Sequence, residues 1–142
     1  MGILNPKFNV LHKNTRYFLF TGGRGSGKSF GVAVNILLLT FDLKYQHKIL
    51  FTRYTLSSAH LSIIPEFIEK IELFGWQDIF HVTKGEITNL QTGSKVLFRG
   101  ILTSSGNQTA NLKSLQGITT WVLDEAEEMV KEDIFDKIDF SI

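Results

Sequence analysis

The sequence predicts an α/β fold, a mainly parallel sheet flanked by helices. Three observations predict it. Short apolar runs alternate with helix-like segments, a glycine-rich loop separates the first run from the first helix, and a later apolar run ends on two consecutive carboxylates. The 142 residues amount to one domain. With 43% hydrophobic and 20% charged residues, the chain can bury a core and lacks a disordered composition. Its 15 Lys+Arg against 14 Asp+Glu leave a net charge of +1, so any nucleic-acid contact must come from a local patch rather than a basic tail.

Tyr17-Phe18-Leu19-Phe20-Thr21 reads as a buried strand, because an aromatic and apolar run stops at glycines. Ser29 to Phe41 is apolar almost all round, the pattern of a helix buried against a sheet. Lys48 to Arg53 reads as the next strand. From Ser57 to Phe74 the apolar positions Leu61, Ile64, Phe67, Ile68, Ile71 and Phe74 recur at spacings of three and four. They predict an amphipathic helix with a restart or kink at Pro65, a Glu66–Lys70 pair one turn apart and a stop at Gly75. Ile79–Val82, Glu86–Leu90 and Lys95–Arg99 read as short strands, the last two joined in a hairpin through Gln91-Thr92-Gly93-Ser94. Thr103 to Gly117 is polar and reads as an exposed loop. Ile118 to Leu123 reads as a strand, and Glu125 onward as a helix.

Several function classes are set aside by what the chain lacks. Without cysteine there is no disulfide framework and no thiolate metal site. His12, His47, His60 and His81 are scattered, with no pair at metal-ligand spacing. The N-terminus lacks the apolar stretch of ~7–15 residues that a signal peptide needs. The longest apolar run, Val32 to Phe41, falls short of the ~20 residues that cross a bilayer. The reading is of a soluble, cytoplasmic protein.

Gly22-Gly23-Arg24-Gly25-Ser26-Gly27-Lys28-Ser29 fits G-x-x-x-x-G-K-[ST] at every fixed position. Glycines allow positive φ, so the loop can wrap a phosphate with backbone N–H groups, and the helix N-terminus adds a field favourable to an anion. Lys28 is placed to bridge the β- and γ-phosphates, and the Ser29 hydroxyl to sit on Mg²⁺. Arg24 occupies a free position of the pattern, where it either reaches the γ-phosphate or points into solvent. Thr120-Trp121-Val122-Leu123-Asp124-Glu125 supplies the second half of such a site. Asp124 is the candidate Mg²⁺ carboxylate and Glu125 the candidate general base for an attacking water. The bland reading, in which both merely begin a helix, stays open here. Glu127 and Glu128 read as a solvated face. The glutamate directly after the aspartate points to the P-loop NTPases of the catalytic-glutamate, RecA-like group, and the lack of an N-K-x-D signature points to ATP rather than GTP.

These motifs together resemble the ATPase domain of the large terminase subunit of tailed bacteriophages. The residues that carry the resemblance are the Gly22–Ser29 loop, Phe51-Thr52-Arg53, Phe98-Arg99-Gly100, Leu112-Lys113-Ser114 and Leu123-Asp124-Glu125-Ala126-Glu127-Glu128. The resemblance implies Mg²⁺-dependent ATP hydrolysis that drives double-stranded DNA into a capsid. It also implies a homo-oligomeric ring on the portal protein, a small terminase subunit as partner, and the host cytoplasm as location. It links Arg24 to phosphate sensing and offers Arg99 or Lys113 as a residue acting on a neighbouring subunit's ATP. Phe8 and Arg16 are candidates to flank the adenine. Residues 1–142 then read as one incomplete ATPase domain, with its C-terminal strands, coupling motif and nuclease domain missing, so DNA cutting is not expected of it.

Two rival readings remain. Asp124-Glu125-Ala126-Glu127 echoes the acidic motif of DEAD-box helicases, although Glu127 stands where that motif has Asp. The chain could also bind nucleotide without turning it over.

Overall fold

The computed structural model describes residue 6, residues 17–23, 27–55, 63–102 and 116–126, and residue 136. Its elements are α1 (Lys28–Leu39), β1 (Lys48–Thr55), α2 (Ile64–Leu73), β2 (Phe80–Val82), β3 (Glu86–Asn89), β4 (Lys95–Leu102) and β5 (Thr120–Leu123). The strands form one sheet in the order β2-β3-β4-β1-β5. β1 runs parallel to both β4 and β5, whereas β2, β3 and β4 pair antiparallel. The sheet is therefore mixed, not mainly parallel. Its antiparallel half follows from chain length, since only three residues join β2 to β3 and five join β3 to β4. A parallel neighbour needs a crossover of a dozen or more.

β1 is the central strand, and its Lys-Ile-Leu-Phe start shows how alternation divides the core. Ile49 and Phe51 point to the helices, where they pack with Ala33, Ile36 and Leu37 of α1, Ile64, Phe67 and Ile71 of α2, and Val96 and Phe98 of β4. Leu50 points to the other face and packs with Leu97, Ile101, Trp121 and Leu123. A strand covered on both sides has no polar side until its end. Phe51, Phe67 and Phe98 meet with ring centroids 5.1–5.8 Å apart, two of the three contacts edge to face.

α1 is buried against the sheet and beside α2, with Gly31, Ala33, Val34, Ile36 and Leu37 buried, which matches its apolar pattern. Pro65 lies in the first turn of α2, where a missing N–H costs nothing, so of the restart and the kink expected there the structure has a helix start. Residues 56–62 lie outside the described residues. Gly75 ends α2 as expected: at φ 69° it lets Trp76 N–H reach Ile71 O (2.9 Å) and its own N–H reach Glu72 O (3.1 Å), the Schellman pattern. The Glu66–Lys70 pair gives way to another arrangement. Lys70 is buried, its Nζ 3.7 Å from Glu69 and 4.9 Å from the centre of the Phe30 ring, because its stem is drawn to α1 rather than along its own helix.

The Tyr17–Thr21 run is described but is not a strand of the sheet. Tyr17 and Leu19 are 61% and 86% exposed, while Phe18 and Phe20 are half-buried. The run alternates like a strand, but β5 takes its ladder from β1 and none from this segment. Residues 103–115 of the polar loop and residues 127–135 after Ala126 lie outside the described residues.

Two polar clusters fix the edge where β1, β4 and β5 begin. At the end of α1, buried Thr40 donates from Oγ1 to Leu37 O (2.6 Å), and its carbonyl accepts from Thr92 Oγ1 (2.6 Å) and Asn89 Nδ2 (3.3 Å). Beside it, His47 Nε2 lies 3.1 Å from Asp42 Oδ2, and His47 Nδ1 lies 3.3 Å from Thr119 Oγ1. The His47 hydrogen bond, then the Lys44 backbone N–H, hold the Asp42 carboxyl below the ordinary carboxylate range.

Candidate functional site

α1 starts from the glycine loop and ends at Thr40, which is bonded to Asn89 and Thr92 at the β3–β4 turn, while Asp124 and Glu125 follow β5 at the edge where β1 and β5 finish. The candidate residues divide between that helix start and those strand ends.

At the helix start, Gly27 takes φ 75° and ψ 8°, a left-handed conformation that suits glycine, and its carbonyl accepts the first helical bond from Gly31 N–H (2.9 Å). As N-cap, Gly27 offers no side chain to cap α1, and the first turn holds no acid, so the positive end of the helix dipole is not neutralised by a carboxylate of that turn. Lys28 turns its ammonium back over the loop, Nζ donating to Gly22 O at 3.4 Å. Ser29, Gly22 and Gly23 are exposed. Arg24, Gly25 and Ser26 lie outside the described residues, as do Phe8, Arg16, Lys113, Glu127 and Glu128.

At the strand ends, the register sets Thr52 of β1 beside Leu123 of β5, and Asp124 N–H continues the ladder to Thr52 O (2.9 Å). Arg53, the next residue of β1, follows Ile49 and Phe51 on the helix-facing side. Its Nε donates to Asp124 Oδ2 at 2.9 Å, and its Nη2 lies 3.2 Å from Glu125 Oε1. One planar guanidinium thus holds both carboxylates of the acidic pair, with side chains 15% (Arg53), 23% (Asp124) and 42% (Glu125) exposed. Glu125 sits at φ 52°, the one positive φ outside glycine among the described residues. Such a conformation costs about 1–2 kcal/mol for an L-residue and marks a position held by its surroundings. On the face away from the helices, Trp121 Nε1 donates to Thr52 Oγ1 (2.8 Å), which in turn donates to Val122 O (3.0 Å).

Sequence reasoning noticed Arg53 only as part of a strand end. Its role was not legible there, since nothing in Phe51-Thr52-Arg53 says which strand will be its neighbour. Arg99 is placed differently. Its Nη1 donates to Gly85 O (3.2 Å) and Phe98 O (2.9 Å), and Nη2 lies 4.0 Å from Glu86, so the guanidinium is engaged with the β2–β3 turn of its own chain.

The donor set suits a cation that arrives with its ligand. One carboxylate and one hydroxyl match Mg²⁺, which keeps waters and shares phosphate oxygens instead of filling an all-protein cage. No group of three His, Asp or Glu side chains that could hold a metal occurs among the described residues. Nor is any described helix long and apolar enough to cross a membrane.

The family model of the phage terminase large subunit covers residues 14–142, a span that includes the glycine loop, β1 with Arg53, and the acidic pair. No curated protein matches the sequence.

Proposed function

The chain belongs to the phage terminase large subunit family, a family of DNA-packaging ATPases, and on that premise we propose that it carries the ATP-binding and hydrolytic edge of such a motor. The features that support this best are the loop that enters α1 through left-handed Gly27 with Lys28 folded back on it, and the Asp124–Glu125 pair held at the end of β5. In this reading the backbone N–H groups of residues 22–29 and the Lys28 ammonium bind the β- and γ-phosphates, with Arg24 over the γ-phosphate. The Ser29 hydroxyl and Asp124 hold Mg²⁺, which neutralises phosphate charge when bound. Glu125 accepts a proton from the attacking water as its oxygen bonds to the γ-phosphorus and the bond to ADP breaks.

The work so driven is translocation of double-stranded DNA into a capsid. The proposed partners are a portal protein, a small terminase subunit and further copies of the chain in a ring, in the cytoplasm of the host. Arg99 or Lys113 would act across that ring; for Arg99 this requires leaving the Gly85 carbonyl.

One observation favours a second reading, nucleotide binding without turnover. Glu125 is ion-paired with Arg53, so one of its oxygens is engaged by a guanidinium instead of facing a water. Binding of a fluorescent ATP analogue with Mg²⁺ and steady-state hydrolysis decide between them. We expect Lys28→Ala to weaken binding by at least tenfold, and Glu125→Gln to abolish hydrolysis while leaving binding within about twofold. Unchanged affinity in Lys28→Ala would remove the phosphate-site assignment, and binding without hydrolysis in the wild type would favour the second reading.

A further inference from the structure

At the end of the sheet away from Asp124 and Glu125, three connections meet: residues 40–47 after α1, 74–79 after α2, and 90–94 between β3 and β4. They are bound to one another. The Phe41 ring lies 5.1 Å from the Trp76 ring, Leu90 N–H donates to Ile79 O (2.8 Å), and Thr92 Oγ1 donates to Thr40 O (2.6 Å). This end is also where apolar surface gathers. Leu43, Tyr45, Leu73 and Leu90 are exposed there, four of the six exposed large apolar side chains among the described residues, with Leu43 at 90%. Phe74 and Trp76 are partly exposed and stack with ring centroids 4.6 Å apart at 19°. The left-handed Gly75 between them turns the chain so that the two rings meet. A surface formed in advance loses little freedom when it is covered.

The charges beside this surface decide what suits it. Glu69, Glu72 and Asp78 are exposed, and neither Glu72 nor Asp78 has a cation partner among the described residues. Lys70, the one cation between residues 64 and 79, is buried over Phe30. Phosphate-rich partners, whether DNA or an anionic bilayer, are repelled by such a border. A second copy packed symmetrically would set these acids against themselves. Arginine suits both features, because a guanidinium stacks on an aromatic ring and also pairs with a carboxylate. We propose that this end is a docking surface for an arginine-bearing apolar segment of a partner protein, which covers Leu73, Phe74 and Trp76 and pairs its cations with Glu72 and Asp78. The surface is separate from the nucleotide edge, so the inference stands independently of the phosphate-site reading.

The probe is a fluorescein-labelled amphipathic peptide of leucine and arginine, with its leucines at helical spacing on one face, titrated with the whole chain and read by anisotropy. Saturable binding is expected. Leu73→Ser should weaken it about tenfold, and Glu72→Lys combined with Asp78→Lys about three- to tenfold, the effect of two exposed ion pairs. All three side chains are exposed, so the thermal midpoint should stay in place. A peptide with glutamate in place of arginine should bind the double-lysine protein more tightly than wild type, an exchange that loss of structure cannot produce. Absence of saturable binding, or binding that neither Leu73→Ser nor the double substitution alters, would overturn the proposal. So would binding of duplex DNA or phosphatidylserine vesicles that Leu73→Ser abolishes, which would give the face to an anionic partner. A dimer seen by sedimentation and dissolved by Leu73→Ser would give it to a second copy instead, and would overturn the proposal equally.

Discussion

Phe98 shows how much a single side chain carries in this fold. It is fully buried, in contact with Phe51 on the neighbouring strand and Phe67 on α2, and so joins the sheet to the helix layer. Phe98→Ala should cost about 3–5 kcal/mol in denaturant unfolding, because the cavity left between a strand and a helix cannot collapse without moving both. A loss under about 1 kcal/mol would mean that α2 does not pack where the structure has it. At this scale the sequence was informative about chemistry and silent about partners. Asp124 and Glu125 were marked by their place after an apolar run. Arg53, which binds both, stands 71 residues from Asp124, and no local pattern announces a contact of that separation. Lys70 misled for a similar reason: helix spacing offered Glu66, while the tertiary packing of α1 drew the ammonium elsewhere.

Elements were legible where local rules decide them and lost where pairing decides them. The stop of α2 at Gly75 is local chemistry, and its positive φ makes a prediction. Gly75→Ala meets no atom within 4 Å, so its whole cost is backbone strain, about 1 kcal/mol of stability with no change in the fold. A neutral result by thermal unfolding would contradict the Schellman ending. The strands β1 to β5 were also found, within two or three residues at their ends. The Tyr17–Thr21 run was read as a strand because its composition and alternation fit one, yet a strand exists only through a ladder, and the neighbour is set by the whole sheet. The mixed sheet is the same lesson. Alternation of strand and helix implied parallel pairing, but the short connections around β2, β3 and β4 allow only antiparallel neighbours.

For the whole molecule, the two ends of the sheet behave as different chemical regions. One carries the Arg53–Asp124–Glu125 contacts; the other is stitched by Thr40, Asn89, Thr92 and the Asp42–His47–Thr119 contacts. The second end makes acid sensitivity a property of the fold. The Asp42 carboxyl has a lower pKa folded than unfolded, so its contribution is present above the unfolded value of about 3.9 and is lost as pH falls through the lower folded value. Asp42→Asn should therefore flatten the acid limb of stability against pH below about 4. An acid limb identical to wild type would show that the hydrogen bond to His47 does not persist in solution.

The fold also carries its own optical label. The chain has two tryptophans. Trp76 lies at the stitched end, stacked on Phe74 and against Phe41 and Phe80. Trp121 lies on β5 with its indole N–H bonded to Thr52, the residue before Arg53. With Trp76 replaced by Phe, the emission of the remaining indole would come from three residues short of the carboxylate pair. Events at that edge could then be timed by stopped-flow fluorescence on an otherwise unlabelled chain.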